Sequence, residues 1–204
     1  MSINVAIYIF PNVEVLDFAG PYEVFTTASR VFGRRNLGQP VPFNVCTVAR
    51  SGEAVMARAG LKVLPDFTFQ SCPEPNVLIV PGGVVDAELE DNAVLAWVGQ
   101  VARKASITAS VCTGAFVLAK AGLLDGRSAT THWEDIAEMR STFPAITVQE
   151  GVRWVDEGAI VSSAGIAAGI DMSLHLVGRL AGVELAQATA RQMDVPYHRD
   201  ACSS

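Results

Sequence analysis

The chain has 204 residues, 50% of them apolar and 18% charged, with a mean hydropathy of +0.31. It is large enough to fold unaided and too apolar to be a disordered or solvating polypeptide. Acids outnumber bases 21 to 15, for a net charge of −6, and no stretch is rich in Lys or Arg, which argues against a nucleic-acid-binding surface.

The first segment, Asn4–Phe10 (NVAIYIF), is apolar nearly throughout, as expected of a strand covered on both faces, and Pro11-Asn12 ends it. No basic segment precedes it, so it reads as a strand and not as a signal peptide. A helix is predicted from Gly20, with Pro21 at a helix-start position, to about Arg30. Phe43–Ala49 is a second strand. Ala54–Met56 and Leu61–Leu64 are short strands around Ala59-Gly60. Asn76–Val80 is a buried strand stopped by Pro81-Gly82-Gly83. Asp91 can cap a helix carrying Val94, Leu95, Val98 and Val101 on one face. Ser106–Val111 is the next strand; it meets Cys112, and a helix begins at once, Thr113–Ala121, closed by Gly122. Trp133–Thr142 is a helix, Val152–Val155 and Ala159–Ser162 form a hairpin, and Ile166–Ala181 and Glu184–Met193 are helices. The longest uncharged stretch, Ala105–Ala119, contains Ser106, Thr108, Ser110 and Thr113. It is too short and too polar for the roughly 18–20 apolar residues of a membrane span.

There is no internal repeat, low-complexity tract or linker, and the chain reads as one continuous domain, residues 1–204. Short apolar strands alternating with helices predict an α/β fold: a mostly parallel sheet with helices on both faces. Ligands of such folds sit beyond the carboxyl ends of the strands, at the switch point. That singles out three loops, Asn12–Gly20, Pro81–Asp86 and Val111–Gly114.

Cys112 falls where a strand passes directly into a helix, the corner that serine hydrolases of the elbow type use for their nucleophile. The helix start favours a thiolate, and the Thr113 N–H could bind an oxyanion. The competing reading is a buried cysteine acting as a small hydrophobe; its place at this corner, before Thr113-Gly114, favours the nucleophile. Gly82-Gly83 lets backbone approach a ligand and could offer a second oxyanion donor, or be an ordinary turn. Asp17, a lone acid among Val15, Leu16, Phe18 and Ala19, reads equally as a proton donor held neutral or as a cap for the helix from Gly20. His132 could serve the cysteine as a base, although a histidine at a loop–helix junction is more often structural. His132, His175 and His198 are too scattered for a metal site, and no phosphate- or dinucleotide-binding glycine motif occurs, so neither metal nor cofactor is expected. Cys46, Cys72, Cys112 and Cys202 have no metal-ligand spacing, and the expected state is four free thiols in a reducing cytosol.

ASVCTGAFVLAKAGLLDGRSATTHW, with LDFAGPYEVF upstream, VPGG between and SSAGIAAGID downstream, resembles the ThiJ/PfpI superfamily from about Val5 to Met193. The resemblance implies the class I glutamine amidotransferase-like fold, a flavodoxin-like three-layer sandwich, and a homodimer. Two branches are similar: isonitrile hydratases and the N-terminal domain of AraC-type regulators, which shares VCTGAF, LLDG, TTHW and AGID. The tail ARQMDVPYHRD is more like the regulators, whose helix-turn-helix module would have no room before Ser204. Proteases of the superfamily place a histidine after the cysteine; Thr113 here argues against that role.

By resemblance to the hydratases, Cys112 is the nucleophile, Asp17 assists it and Thr113 helps; Gly82, Gly83 and Gly114, read from their place around the cysteine, are the expected oxyanion or substrate-binding positions. The implied activity is a lyase reaction, hydration of an isonitrile to an N-substituted formamide. The hydratases continue PGG with another glycine-bearing turn; Val84-Val85-Asp86 here alters that pocket wall. The alternative is a non-catalytic ligand- or redox-sensing domain related to the regulators. A glyoxalase-type activity ranks lower, because it usually places a glutamate where Asp17 stands.

Overall fold

A computed structural model describes residues 2–201; Cys202, expected to be a free thiol, lies outside them. The first half of the chain forms β1 (Ile3–Tyr8), α1 (Val15–Arg35), β2 (Phe43–Ala49), β3 (Val55–Met56), β4 (Lys62–Val63), β5 (Phe67–Thr68), β6 (Val77–Val80), α2 (Asp86–Glu90) and α3 (Asn92–Ala102). The second half forms β7 (Ile107–Val111), α4 (Gly114–Lys120), β8 (Ser128–Ala129), α5 (Ile136–Thr142), β9 (Thr147–Val148), β10 (Trp154–Asp156), β11 (Ile160–Ser163), α6 (Ala168–Ala181) and α7 (Val183–Met193).

Seven strands make one sheet in the order β10-β11-β7-β6-β1-β2-β5. Every pairing in it is parallel except β10 with β11. Helices α1, α6 and α7 pack on one another against one face, and α2, α3 and α4 do so against the other. This is the three-layer α/β architecture. The middle strands are buried on both sides: Val5–Tyr8 and Val77–Val80 are at most 1% exposed. That is why those segments read as unbroken apolar runs rather than as alternating ones.

The chain runs from β1 outward to β2 and β5, then returns to β6 on the other side of β1, so the switch point lies between β1 and β6. The loops leaving these two strands are stitched together there. Val13 bridges Gly83, the Glu14 N–H donates to the Gly82 carbonyl at 2.8 Å, and the Val84 N–H donates to Asn12 at 3.2 Å. Gly83 has φ 138°, and a Cβ on it would lie 2.3 Å from the Asn12 carbonyl oxygen, so only glycine closes this seam.

One helix boundary differs from expectation in a way that matters for the site. The first helix begins at Val15, not Gly20, and Pro21 lies inside it. A proline at the seventh helical position removes one hydrogen bond, the one its N–H would have made to the Asp17 carbonyl. Burial of Phe18, Val24, Phe25 and Ala28 holds the helix through that gap. Asp17 is therefore not a cap; it sits in the first helical turn with its side chain turned inward. Short elements without a periodic signal, β5, α2, β8 and β9, had no counterpart in the sequence reading.

Candidate active site

β7 ends at Val111 and α4 begins at Gly114, so Cys112 and Thr113 alone turn the chain. Cys112 has φ +56°, a left-handed conformation that costs a non-glycine residue roughly 1–3 kcal/mol. Its surroundings fix it there. The Cys112 N–H donates to Ser163 at 3.2 Å, and its carbonyl accepts from Thr131 Oγ1 at 3.0 Å and from the Ala115 N–H at 3.2 Å. Gly114 allows the corner to press on β6: a Cβ there would lie 2.1 Å from the Val80 carbonyl oxygen.

Beneath the cysteine lies Asp17, fully buried. Its Oδ2 accepts the Gly82 N–H at 3.1 Å. Among the described residues Oδ1 has no hydrogen-bond partner, and the Cys112 thiol is the nearby group that favours the anion besides the Gly82 N–H. Burial pushes the Asp17 carboxyl up to about 7, although the Gly82 N–H and the Cys112 thiol both favour the anion.

Burial, and after it the Asp17 charge, pushes the Cys112 thiol up to about 12. The nearby Thr113 and Ile166 N–H groups pull the other way and do not prevail. The sequence reading favoured a resting thiolate from the helix start. The structure corrects this: a half-formed turn of N–H groups is outweighed by desolvation and by a neighbouring carboxylate.

The glycines do other work than expected. The Gly82 N–H is committed to Asp17, and the Gly83 N–H donates to Thr113 Oγ1 at 2.9 Å. The Thr113 hydroxyl donates back to the Gly83 carbonyl, also at 2.9 Å, so it ties the elbow to the switch-point loop. Gly114 is a packing position. The amides that reach the sulfur are those of Thr113 and Ile166. Ile166 escaped the sequence reading, because only the pairing of β11 with β7 brings it to the elbow. It follows β11, which pairs with β7 in a register that sets Ser163 beside Val111, so the loop after β11 passes the elbow that follows Val111.

Cys112, Thr113, His132 and Ile166 line one cavity of about 350 Å³, with Glu14 and Arg58, an ion pair at 3.2 Å, on its wall. His132 Nδ1 lies 3.5 Å from Asp135 and 3.6 Å from Glu134, and its ring fills the space over Gly165, where a Cβ would be 2.0 Å from Cδ2. It thus shares the cavity with the cysteine. His175 is elsewhere, bound to Asp156 at 2.6 Å. Among the described residues no group of three or more His, Cys, Asp or Glu could hold a metal ion, and no helix is long and apolar enough to cross a membrane.

A cysteine on a strand–helix elbow at the switch point of a mostly parallel sheet, with a buried carboxyl against its thiol, defines the class of protein. The chain belongs to the DJ-1/PfpI family, whose model matches residues 3–179. It is 36% identical to the isonitrile hydratase of Pseudomonas putida over 195 residues, 95% of this chain and 79% of that one. It is 31% identical over 185 residues to the HTH-type transcriptional regulator GbdR of Pseudomonas aeruginosa, covering 91% of this chain but only 48% of the regulator. The crystal structure of a ThiJ/PfpI family protein from Pseudomonas syringae superposes with a TM-score of 0.83 at 29% identity, covering all of this chain and 80% of that one.

Proposed function

We propose that the protein hydrates a small neutral molecule through Cys112, with an isonitrile as substrate and an N-substituted formamide as product. The observation that carries this reading is the fully buried Asp17 carboxyl set beside the Cys112 elbow, where burial pushes the acid up to about 7 and the thiol up to about 12. Such a pair can remove a proton from sulfur and return it to carbon, as addition to an isonitrile requires.

In the reactive state the pair carries one negative charge. As the sulfur bonds to the terminal isonitrile carbon, its proton passes to Asp17, and Asp17 then delivers that proton to the same carbon. The result is a thioimidate on Cys112. Water adds to the thioimidate carbon, and Asp17 takes its proton and passes it to the nitrogen. The tetrahedral intermediate expels the sulfur, which is protonated again, and the formamide leaves. The Thr113 and Ile166 N–H groups stabilise negative charge on sulfur during its attack and departure. Each positioned proton transfer should contribute about 10²–10⁴-fold in rate. The direct test is turnover of para-substituted phenyl isocyanides, followed by mass spectrometry of the formamide. Cys112→Ala should abolish it, and unchanged turnover in that variant would remove covalent catalysis.

The similarity to GbdR over nine-tenths of this chain favours a second reading, a sensing domain without turnover. Absence of formamide from wild-type protein, together with saturable binding of a small ligand, would select it. A homodimer belongs to the first proposal. Leu16, Val84, Trp133 and Ile166 are exposed apolar side chains, each in the cavity wall or next in sequence to a residue of the site. A second copy covering them should give a dimer mass by light scattering.

A further inference from the structure

Cys46 and Cys72 lie outside the site described above, and the fold brings them together. The edge strand β5 pairs with the end of β2, Val48 beside Phe67 and Ala49 beside Thr68. The chain then reverses, with the Ser71 and Cys72 N–H groups both donating to the Thr68 carbonyl, at 3.2 and 2.9 Å. It runs back along the sheet edge through Pro73 and Pro75 and is pinned at the far end, where the Asn76 N–H donates to Asn4 at 2.9 Å. Cys46 is in the middle of β2, opposite Ala6, so this returning segment passes it. Cys46, Pro73 and Pro75 line one cavity of about 260 Å³, and the Cys72 sulfur is 3.2 Å from the Pro73 carbonyl oxygen. Both cysteines are half-buried, hence reachable, and unbridged.

We infer that Cys46 and Cys72 form a second reactive-thiol site, a dithiol that peroxides oxidise to an intrachain disulfide.

The interaction between the thiols gives each a role. Hydrogen bonding with Cys72 pushes the Cys46 thiol up, with burial adding to the shift, while the same contact pulls the Cys72 thiol down despite its burial. With Cys46 fixed in the middle of β2 and Cys72 on the returning loop, Cys72 is taken as the attacking sulfur and Cys46 as the resolving one. The Cys72 thiolate attacks one peroxide oxygen; the O–O bond breaks, sulfur is oxidised to a sulfenic acid, and the second oxygen leaves as water or alcohol after taking a proton. Cys46 then attacks the Cys72 sulfur, the S–S bond forms, the S–O bond breaks, and the hydroxyl departs as water with the Cys46 proton. One peroxide is reduced and two thiols are oxidised. Cys112 does not compete for this bridge. β7 is three strand positions from β2, about 14 Å at the usual spacing.

The experiment uses the full chain, reduced, then exposed to hydrogen peroxide without denaturant, alkylated with N-ethylmaleimide and digested with trypsin. The expected product is the peptide Asn36–Arg50 joined to Val63–Arg103, with loss of both maleimide adducts and their return after dithiothreitol. Cys112→Ser should form the same link to the same extent. In Cys46→Ser, dimedone should trap a sulfenic acid on Cys72. Recovery of Cys46 and Cys72 both alkylated at a peroxide dose that oxidises Cys112 would overturn the inference, as would a link from either of them to Cys112 or Cys202. Because the readout is a bond in the wild-type chain, it does not depend on a variant folding or on the hydratase activity.

Discussion

Replacing Asp17 with Asn tests the site without an assay for turnover. The side chain keeps its shape, and its oxygen can still accept the Gly82 N–H, which is 3.1 Å from Oδ2 in the wild type. Only the ionisation is lost. In the folded chain Asp17 titrates at about 7 against an ordinary 3.8. The folded state therefore binds the proton more tightly than the unfolded one, and the stability this confers is complete below pH 4 and lost as pH rises toward 7. A shift of about three units at roughly 1.4 kcal/mol each amounts to about 4 kcal/mol. Asp17→Asn should be near neutral for stability at pH 4 and should stabilise the fold by up to about 4 kcal/mol at pH 8. For a chain of this size that corresponds to a rise of roughly 8–16 °C in melting temperature. Urea unfolding of both proteins at pH 4.5, 6 and 8 measures it. A stability difference that does not change with pH, or that grows toward acid, would show that the carboxyl is not held protonated by its burial.

The same titration sets the activity profile. With the reactive pair carrying one negative charge, kcat/KM for an isocyanide should rise with pH to a plateau, with a midpoint near 7 and no falling limb below pH 9; a flat profile from pH 5 to 8 would contradict it. Thr113→Val should leave the Gly83 N–H and carbonyl unpaired, destabilise by about 1–3 kcal/mol and cut kcat more than it raises KM; Thr113→Ser should restore most of both in the same assays. Gly114→Ala places a methyl 2.1 Å from the Val80 carbonyl oxygen, and the backbone must move. A loss of at least about 2 kcal/mol in urea unfolding is expected, and a fall in maleimide labelling of Cys112 would report the displaced elbow.

The fold was legible where local chemistry and tertiary context agree. Asp91 caps its helix as read, accepting the Ala93 and Val94 N–H groups, and Phe43–Ala49 is a strand over the same residues. The Cys112 corner was visible because nothing separates Val111 from the helix except two residues. The start of α1 was not legible, because Pro21 is a strong local signal and the burial of Phe18 that overrides it is tertiary. The same misplacement left Asp17 undecided between cap and acid. Once the helix begins at Val15, its inner face settles the matter. The commitment of the Gly82 and Gly83 amides, and the reach of Ile166, depend on sheet register and loop stitching between segments far apart in sequence. No local pattern encodes those.

The proton inventory at the elbow bears on the choice between catalysis and sensing. A peroxide sensor works through a thiolate, yet burial and Asp17 keep the Cys112 sulfur protonated at neutral pH. The Cys46–Cys72 pair has the opposite arrangement, with one thiol drawn toward the anion by the other. Asp17 is also an expensive residue to hold where it is, since an asparagine would preserve the Gly82 contact without the neutral-pH cost. Those features make sense together if the proton on Cys112 is itself a reactant, lifted from sulfur and set on carbon by the carboxyl that raised its affinity. On that account Asp17→Asn should keep or improve the fold and lose turnover by at least the two orders of magnitude expected of a positioned proton carrier. A stabilised variant that still forms formamide at the wild-type rate would break the link between the buried acid and the chemistry.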